Sequence, residues 1–226
     1  MFTRIARTAG FAGLLAALLL TLMQSIWISP LIEQAEVFER AAQTQPQEPV
    51  ALDGGHGHEI EAWEPEPGWP RLLSTTGGNL VVAVGFALML AGLYTVRAPG
   101  RAAAGLLWGL AGYAVFTLAP TLGLPPELPG TAAADLGSRQ LWWVGSAASA
   151  AVGLALIVFA KPWPFKLAGA VLLVIPHLIG APQPPMHESV APETLQQQFR
   201  WAAQAVNMVF WLALGLVSAW LFRRAA

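Results

Sequence analysis

The sequence predicts an all-α fold, a polytopic integral membrane helix bundle. It forms one transmembrane domain over residues 1–226, with six spans or, as the alternative, five. Three observations predict it. The chain is 55% hydrophobic and only 11% charged, where soluble domains carry roughly 25% charged residues. Six windows of at least 21 residues contain no Asp, Glu, Lys or Arg, and about 20 apolar residues cross a bilayer as a helix. The basic residues also sort between alternate loops, which is the signal that orients a membrane protein.

The spans are expected at about 8–29, 75–96, 102–122, 140–160, 165–181 and 201–222. The first follows Arg4 and Arg7. It reads as a signal-anchor rather than a cleaved leader, because the apolar run is long and no small-x-small site follows Trp27. Its helix can continue outside the membrane through Glu33–Arg40. The second, third, fourth and sixth spans are plain apolar runs. The fifth is the weakest: its apolar part ends near Ile179 and is interrupted by Pro176 and His177. An interfacial fifth segment gives the five-span alternative.

With the N-terminus inside, Arg4, Arg7, Arg97, Arg101, Lys161, Lys166, Arg223 and Arg224 lie on the inner side, eight of the 12 basic residues. Both termini are then cytoplasmic. Arg40, Arg71, Arg139 and Arg200 lie outside with all 13 acidic residues, nine of them in the long outer loop 33–71. The outer face has a formal charge of −9 and would concentrate cations. Trp27, Trp142, Trp143 and Trp201 mark outer boundaries, Trp163 and Trp220 inner ones.

Several functions are excluded at this level. A net charge of −1 gives no basic surface for nucleic acid. The absence of cysteine removes disulfides, thiolate metal sites and cysteine nucleophiles. No Gly-Lys phosphate loop, His-Glu-x-x-His or Gly-x-Ser-x-Gly occurs. An enzyme is not expected, nor a resident cofactor. Membrane lipid is an obligatory partner, and an ion pathway is the remaining chemistry.

Candidate ligands follow. His177 is the one ionisable side chain inside a span, and such residues mark function by default. Pro176 precedes it and would free the Leu172 carbonyl, as Pro30 and Pro120 would free those of Ile26 and Phe116. Freed carbonyls at interrupted helices can coordinate cations; near the interface, water can equally satisfy them. Glu33 and Glu36, at i and i+3, share a helix face that would serve as a carboxylate mouth or as a solvated helix end. His56 and His58 in the acidic loop offer two imidazoles for weak capture of a divalent ion. Gln24, Asn79, Gln204 and Asn207 lie in outer halves of spans, where they line a path or bond helices together. Gly105-x-x-x-Gly109 and Gly145-x-x-x-Ser149-x-x-x-Gly153 read as close-packing stripes. Asp135 and Arg139, at i and i+4, would cap the outer end of the fourth helix. The outer-end prolines of helices 1, 3 and 5 suggest a threefold hairpin repeat.

These segments also resemble a known family. Pro30-Leu-Ile with Ala35-Glu36, Gly123-Leu-Pro-Pro-Glu-Leu-Pro-Gly130, Arg139-Gln-Leu-Trp-Trp143 and Pro176-His-Leu-Ile-Gly-Ala-Pro-Gln-Pro184 resemble the CbtA family of predicted cobalt-transporter subunits over nearly the whole chain. The resemblance implies Co²⁺ uptake across a bacterial cytoplasmic (inner) membrane. It also implies a small single-span partner subunit with its own histidine motif. Family members usually carry a histidine-containing acidic first outer loop, reduced here to His56 and His58. The expected function is a permease subunit for a divalent metal, cobalt by resemblance, the ion being cargo. The alternative is a non-transporting structural or assembly protein of a metal-transport complex. Side-chain chemistry alone does not select cobalt, since a His/carboxylate set binds Ni²⁺ and Cu²⁺ more tightly.

Overall fold

The computed structural model describes residues 1–44, 65–66, 68–184 and 189–225. Six helices carry them: α1 (Phe2–Gln43), α2 (Trp69–Val96), α3 (Ala102–Thr121), α4 (Leu136–Phe159), α5 (Trp163–Ile179) and α6 (Glu193–Arg224). The described residues contain no β-strand, only an isolated bridge between Thr131 and Ser189. All the helices but α5 are long and apolar enough to cross a membrane.

Four of the helices, α1, α2, α4 and α6, outrun their expected spans. Charge-free windows locate the hydrocarbon, whereas a helix stops where its backbone does. At 1.5 Å per residue, α1 is about 63 Å long, twice the roughly 30 Å apolar thickness. Its last turns, Ser29–Gln43, carry the helix through Glu33–Arg40, where a continuation was expected. α2 starts at Trp69 because Pro70 fits the first helical turn. α4 starts at Leu136 on the Asp135 cap. α5 ends at Gly180, whose φ of 86° is left-handed backbone open to glycine.

Close packing relies on small residues. Ala9, Ala12, Ala16 and Ala17 of α1 and Ala83, Ala87 and Ala91 of α2 are buried in one core with Val206, Phe210, Trp211 and Leu214 of α6. Without a hydrophobic drive between helices in lipid, such contacts hold by dispersion at short range. Gly105 and Gly109 of α3 meet the backbone of α6 at Gly215 and Trp211, leaving no room for a Cβ. Gly153 of α4 faces Gly169 of α5 in the same way. The second predicted stripe is thus corrected in part: Gly145 has no atom within 4 Å of its would-be Cβ and packs nothing.

The prolines act differently from one another. In α1 and α3 each follows a π-turn by two residues, Gln24–Ile28 before Pro30 and Ala114–Leu118 before Pro120. The N–H of Ser29 donates to Gln24 O, and that of Ala119 to Ala114 O. The carbonyls of Ser25 and Val115 therefore lose their α-helical donor, and the next donor along is proline, which has none. The π-register thus opens a carbonyl one residue before the expected Ile26 and Phe116. Pro176 sits in ordinary α-helix, so the shared device links α1 and α3 and does not extend to a threefold repeat.

The chain ends meet. Arg4 donates from Nε and Nη2 to the Phe222 carbonyl at 2.8 and 2.6 Å, and its guanidinium lies 3.8 Å from that ring's centroid. At the same end Arg97 covers Phe159 and Arg223 bonds the Gly100 carbonyl. α5 leaves this end at Trp163 and delivers Pro182 and Gln183 to a cavity shared with Glu127 and Arg139 at the other. Its 17 residues, about 26 Å, run end to end, whereas an interfacial helix would start and finish at one end. Reporter fusions at the N- and C-termini should therefore read the same compartment. Opposite readings would return α5 to the interface.

Candidate functional site

The described carboxylates gather at the end of the bundle opposite Arg4 and Phe222. Ala35 of α1 is fully buried there against Leu128, Ala191, Leu195 and Phe199, which fixes the α1 extension over the α3–α4 and α5–α6 connections. Glu33 is exposed. Glu36 is half-buried and its Oε1 accepts from Arg71 Nη1 at 2.8 Å. The two expected mouth residues thus differ: one is open to solvent, the other held by the start of α2.

A cavity of about 530 Å³ opens at this end, between the connection after α3, the Pro182–Pro184 stretch and the first turns of α6. Its carboxylates are accompanied by arginines. Glu127 pairs with Arg139 at 3.1 Å and Glu193 lies 4.0 Å from Arg200. The expected Asp135–Arg139 pair is replaced by two separate interactions. Asp135 Oδ2 accepts from the Ser138 N–H at 2.8 Å and from its hydroxyl at 2.9 Å, capping α4. Those bonds, the backbone one first, hold the Asp135 carboxyl below its ordinary range. Arg139, freed from Asp135, reaches back to the Glu127 loop. Local spacing pointed to the i, i+4 partner, but the N-cap geometry consumes Asp135.

His177 lies on the last turn of α5, half-buried, edge-on to Trp142 with ring centroids 6.0 Å apart. It makes no hydrogen bond among the described residues. The carbonyls around it are taken. Ser149 Oγ of α4 donates to Leu172 O at 2.6 Å, satisfying the vacancy that Pro176 creates, and Trp142 Nε1 donates to Pro176 O at 3.3 Å. The expected pairing of imidazole with a free Leu172 oxygen is therefore corrected: α4 supplies the missing donor. Trp142 also fills the space beside Gly123, a residue lining the cavity. His56 and His58 lie outside the described residues. Among the described residues, no three His, Asp or Glu side chains converge as a metal-binding group.

The polar residues in the halves of the spans toward the carboxylate end, Asn207 apart, form two interhelical networks. Asn79 Nδ2 of α2 donates to Thr21 Oγ1 at 3.0 Å and Gln24 Oε1 at 2.7 Å, both on α1. Gln204 of α6 donates to Thr121 Oγ1 at 2.7 Å and accepts from Tyr113 OH at 2.8 Å. Trp211 Nε1 adds a bond to Thr117. Asn207 bonds its own helix at Ala203 O. The amides were legible in the sequence. The π-turns beside them were not, although a polar residue a turn and a half before an outer-end proline is the signal that marks Gln24.

No curated protein and no solved structure matches the chain. A family model described as the probable cobalt transporter subunit, CbtA, matches residues 2–223. The designation of subunit implies a partner in a transport complex, and the helices are those of a multi-pass membrane protein. With nearly its whole length covered by that model, the chain belongs to the CbtA family.

Proposed function

We propose that this chain is the membrane-embedded permease subunit of a divalent-metal uptake system, with Co²⁺ as cargo, in a bacterial inner membrane. The observation that supports it above all is the polarity of the bundle. The described carboxylates lie at one end, and Arg4, Arg97, Arg223 and their neighbours at the other. With the basic end cytoplasmic, the acidic end faces the external cation supply. Both termini are then cytoplasmic. The chain performs no covalent chemistry and holds no resident cofactor; the metal passes through.

His177 serves as one ligand of a site that a partner completes. α5 packs chiefly on α4, and Val171, Val174, Leu178 and Ile179 leave its other side exposed. A single-span subunit carrying its own histidines fits against that side and would supply the imidazoles His177 lacks. Neutral imidazole suits first-row divalent metals. Flux of radiolabelled Co²⁺ into liposomes, with and without the partner, tests the reading. Flux that needs both proteins is expected, and none with both present would refute it.

The isolation of His177 from other ligands also favours a second reading, in which the chain only organises the complex. Cellular Co²⁺ uptake that survives deletion of this chain would select that reading.

The long outer loop supplies charge. Deleting 43–66, which removes Glu48, Asp53, Glu59, Glu61, Glu64 and Glu66, should raise the Co²⁺ concentration for half-maximal uptake by a few-fold. Maximal rate should persist, because charges acting through a potential of about 8 Å reach change local concentration and not the crossing itself. A matching loss of maximal rate would place the loop in the translocation site.

A further inference from the structure

The two outer polar networks are built differently. Around Gln204 both amide atoms are engaged, the nitrogen by Thr121 and the oxygen by Tyr113. That network is closed and joins α3 to α6. Around Asn79 a single amino group serves two acceptors, Thr21 Oγ1 and Gln24 Oε1. A reciprocal pair would engage the nitrogen and oxygen of both amides. Here the Gln24 amino group and the Asn79 carbonyl oxygen have no partner among the described residues. Unpaired amide atoms within a span are costly.

The α1 backbone at the same place is also open. Gln24 begins the π-turn, and the Ser25 carbonyl next to it has lost its helical donor to the Ser29–Gln24 bond and to Pro30. Such turns concentrate at functional sites. Two oxygens therefore converge within 3.0 Å of one positively polarised group. A third follows if the Asn79 amide turns over about its last bond, which replaces Nδ2 with Oδ1. A carbonyl without a donor lies one residue away. Counting from Arg7, Gln24 is about 26 Å along the helix, at the outer edge of the hydrocarbon.

We propose that Thr21, Gln24 and Asn79 form an oxygen-only binding site for the divalent cation at the outer mouth between α1 and α2. The Asn79 amino group holds it while no ion is bound. The inference rests on the permease reading and locates a step within it. The set is neutral, so an ion entering it keeps part of its water and leaves easily. Oxygen donors also favour hard cations such as Mg²⁺ and Mn²⁺. The site would admit divalent ions with little selectivity, leaving discrimination to imidazole.

The test uses the full-length chain with its native partners in intact cells, and the purified chain in nanodiscs titrated with Mn²⁺ by electron paramagnetic resonance. Asn79→Ala should raise half-saturating Co²⁺ at least tenfold and remove one Mn²⁺-binding component. Asn79→Asp should do the reverse, lowering half-saturating Co²⁺ and strengthening inhibition by excess Mg²⁺. Purely adhesive amides would instead lower protein yield in both variants and leave half-saturation and the Mn²⁺ titration unchanged, which would overturn the site. An Asn79-dependent Mn²⁺ component in a wild-type chain that supports no uptake would uphold the site and refute the permease reading.

Discussion

Cells carrying His177→Ala are expected to lose more than nine-tenths of their Co²⁺ uptake while the protein still reaches the membrane in normal amount. The separation of the two effects follows from what His177 touches. Its ring meets the edge of Trp142 and makes no hydrogen bond among the described residues. Removing it forfeits an aromatic contact worth about 0.5–1.5 kcal/mol. The neighbouring backbone is secured without it, by Ser149 on the Leu172 carbonyl and Trp142 on the Pro176 carbonyl. A large loss of uptake with intact insertion would thus report the imidazole as a ligand. His177→Gln should rescue poorly, because an amide oxygen is a weaker ligand than imidazole for a first-row transition metal. Changing His56 and His58 together to alanine should be much milder, since a loop pair only captures ions ahead of the crossing. Wild-type uptake by His177→Ala would remove the histidine from the path and leave the metal to Glu33 and the oxygen site at Asn79.

What the sequence made legible divides by the range of the interactions involved. The helices and their order depend on composition over some 20 residues, and the bundle has a helix at each of the six places, five of them long and apolar enough to cross a membrane and α5 shorter. The helix ends were less legible. Asp135 illustrates why: an acid four residues before an arginine suggests a pair, but the same acid caps the helix and the arginine finds Glu127 twelve residues back. The fate of a freed carbonyl was not legible at all. Pro176 marks Leu172 from local geometry, yet Ser149 sits on a different helix 23 residues away. The π-turns of α1 and α3 escaped for the related reason that a proline announces a missing donor but not the register the backbone adopts to absorb it. Candidate ligands could therefore be named one by one, while their convergence had to come from the packing of helices.

Gly215→Leu is expected to be the most destabilising single substitution in the bundle, by about 3 kcal/mol or more, the upper range of overpacking. A Cβ there would overlap the Gly105 carbonyl and stand 2.6 Å from Gly109 N and 2.8 Å from Gly109 Cα. Those neighbours are backbone, so no side-chain rotation relieves the clash, and α3 and α6 must move apart. Separation would strain the bond from Trp211 to Thr117 and the contact of Gln204 with Tyr113 and Thr121, which join the same two helices. It would also disturb the Tyr94 hydroxyl, which lies 3.1 Å from Ser218 Oγ. Gly145→Leu provides the contrast. That glycine belongs to a stripe that reads from sequence as equally close-packed, but its Cβ would point into open space, so stability should change by no more than about 0.5 kcal/mol. Thermal unfolding of the purified proteins in detergent compares the two. Equal melting of Gly215→Leu and Gly145→Leu would mean that α3 and α6 do not approach at Gly105 and Gly215. A selective collapse of Gly215→Leu would show that the backbone contact at Gly105 and Gly109 holds α3 against α6.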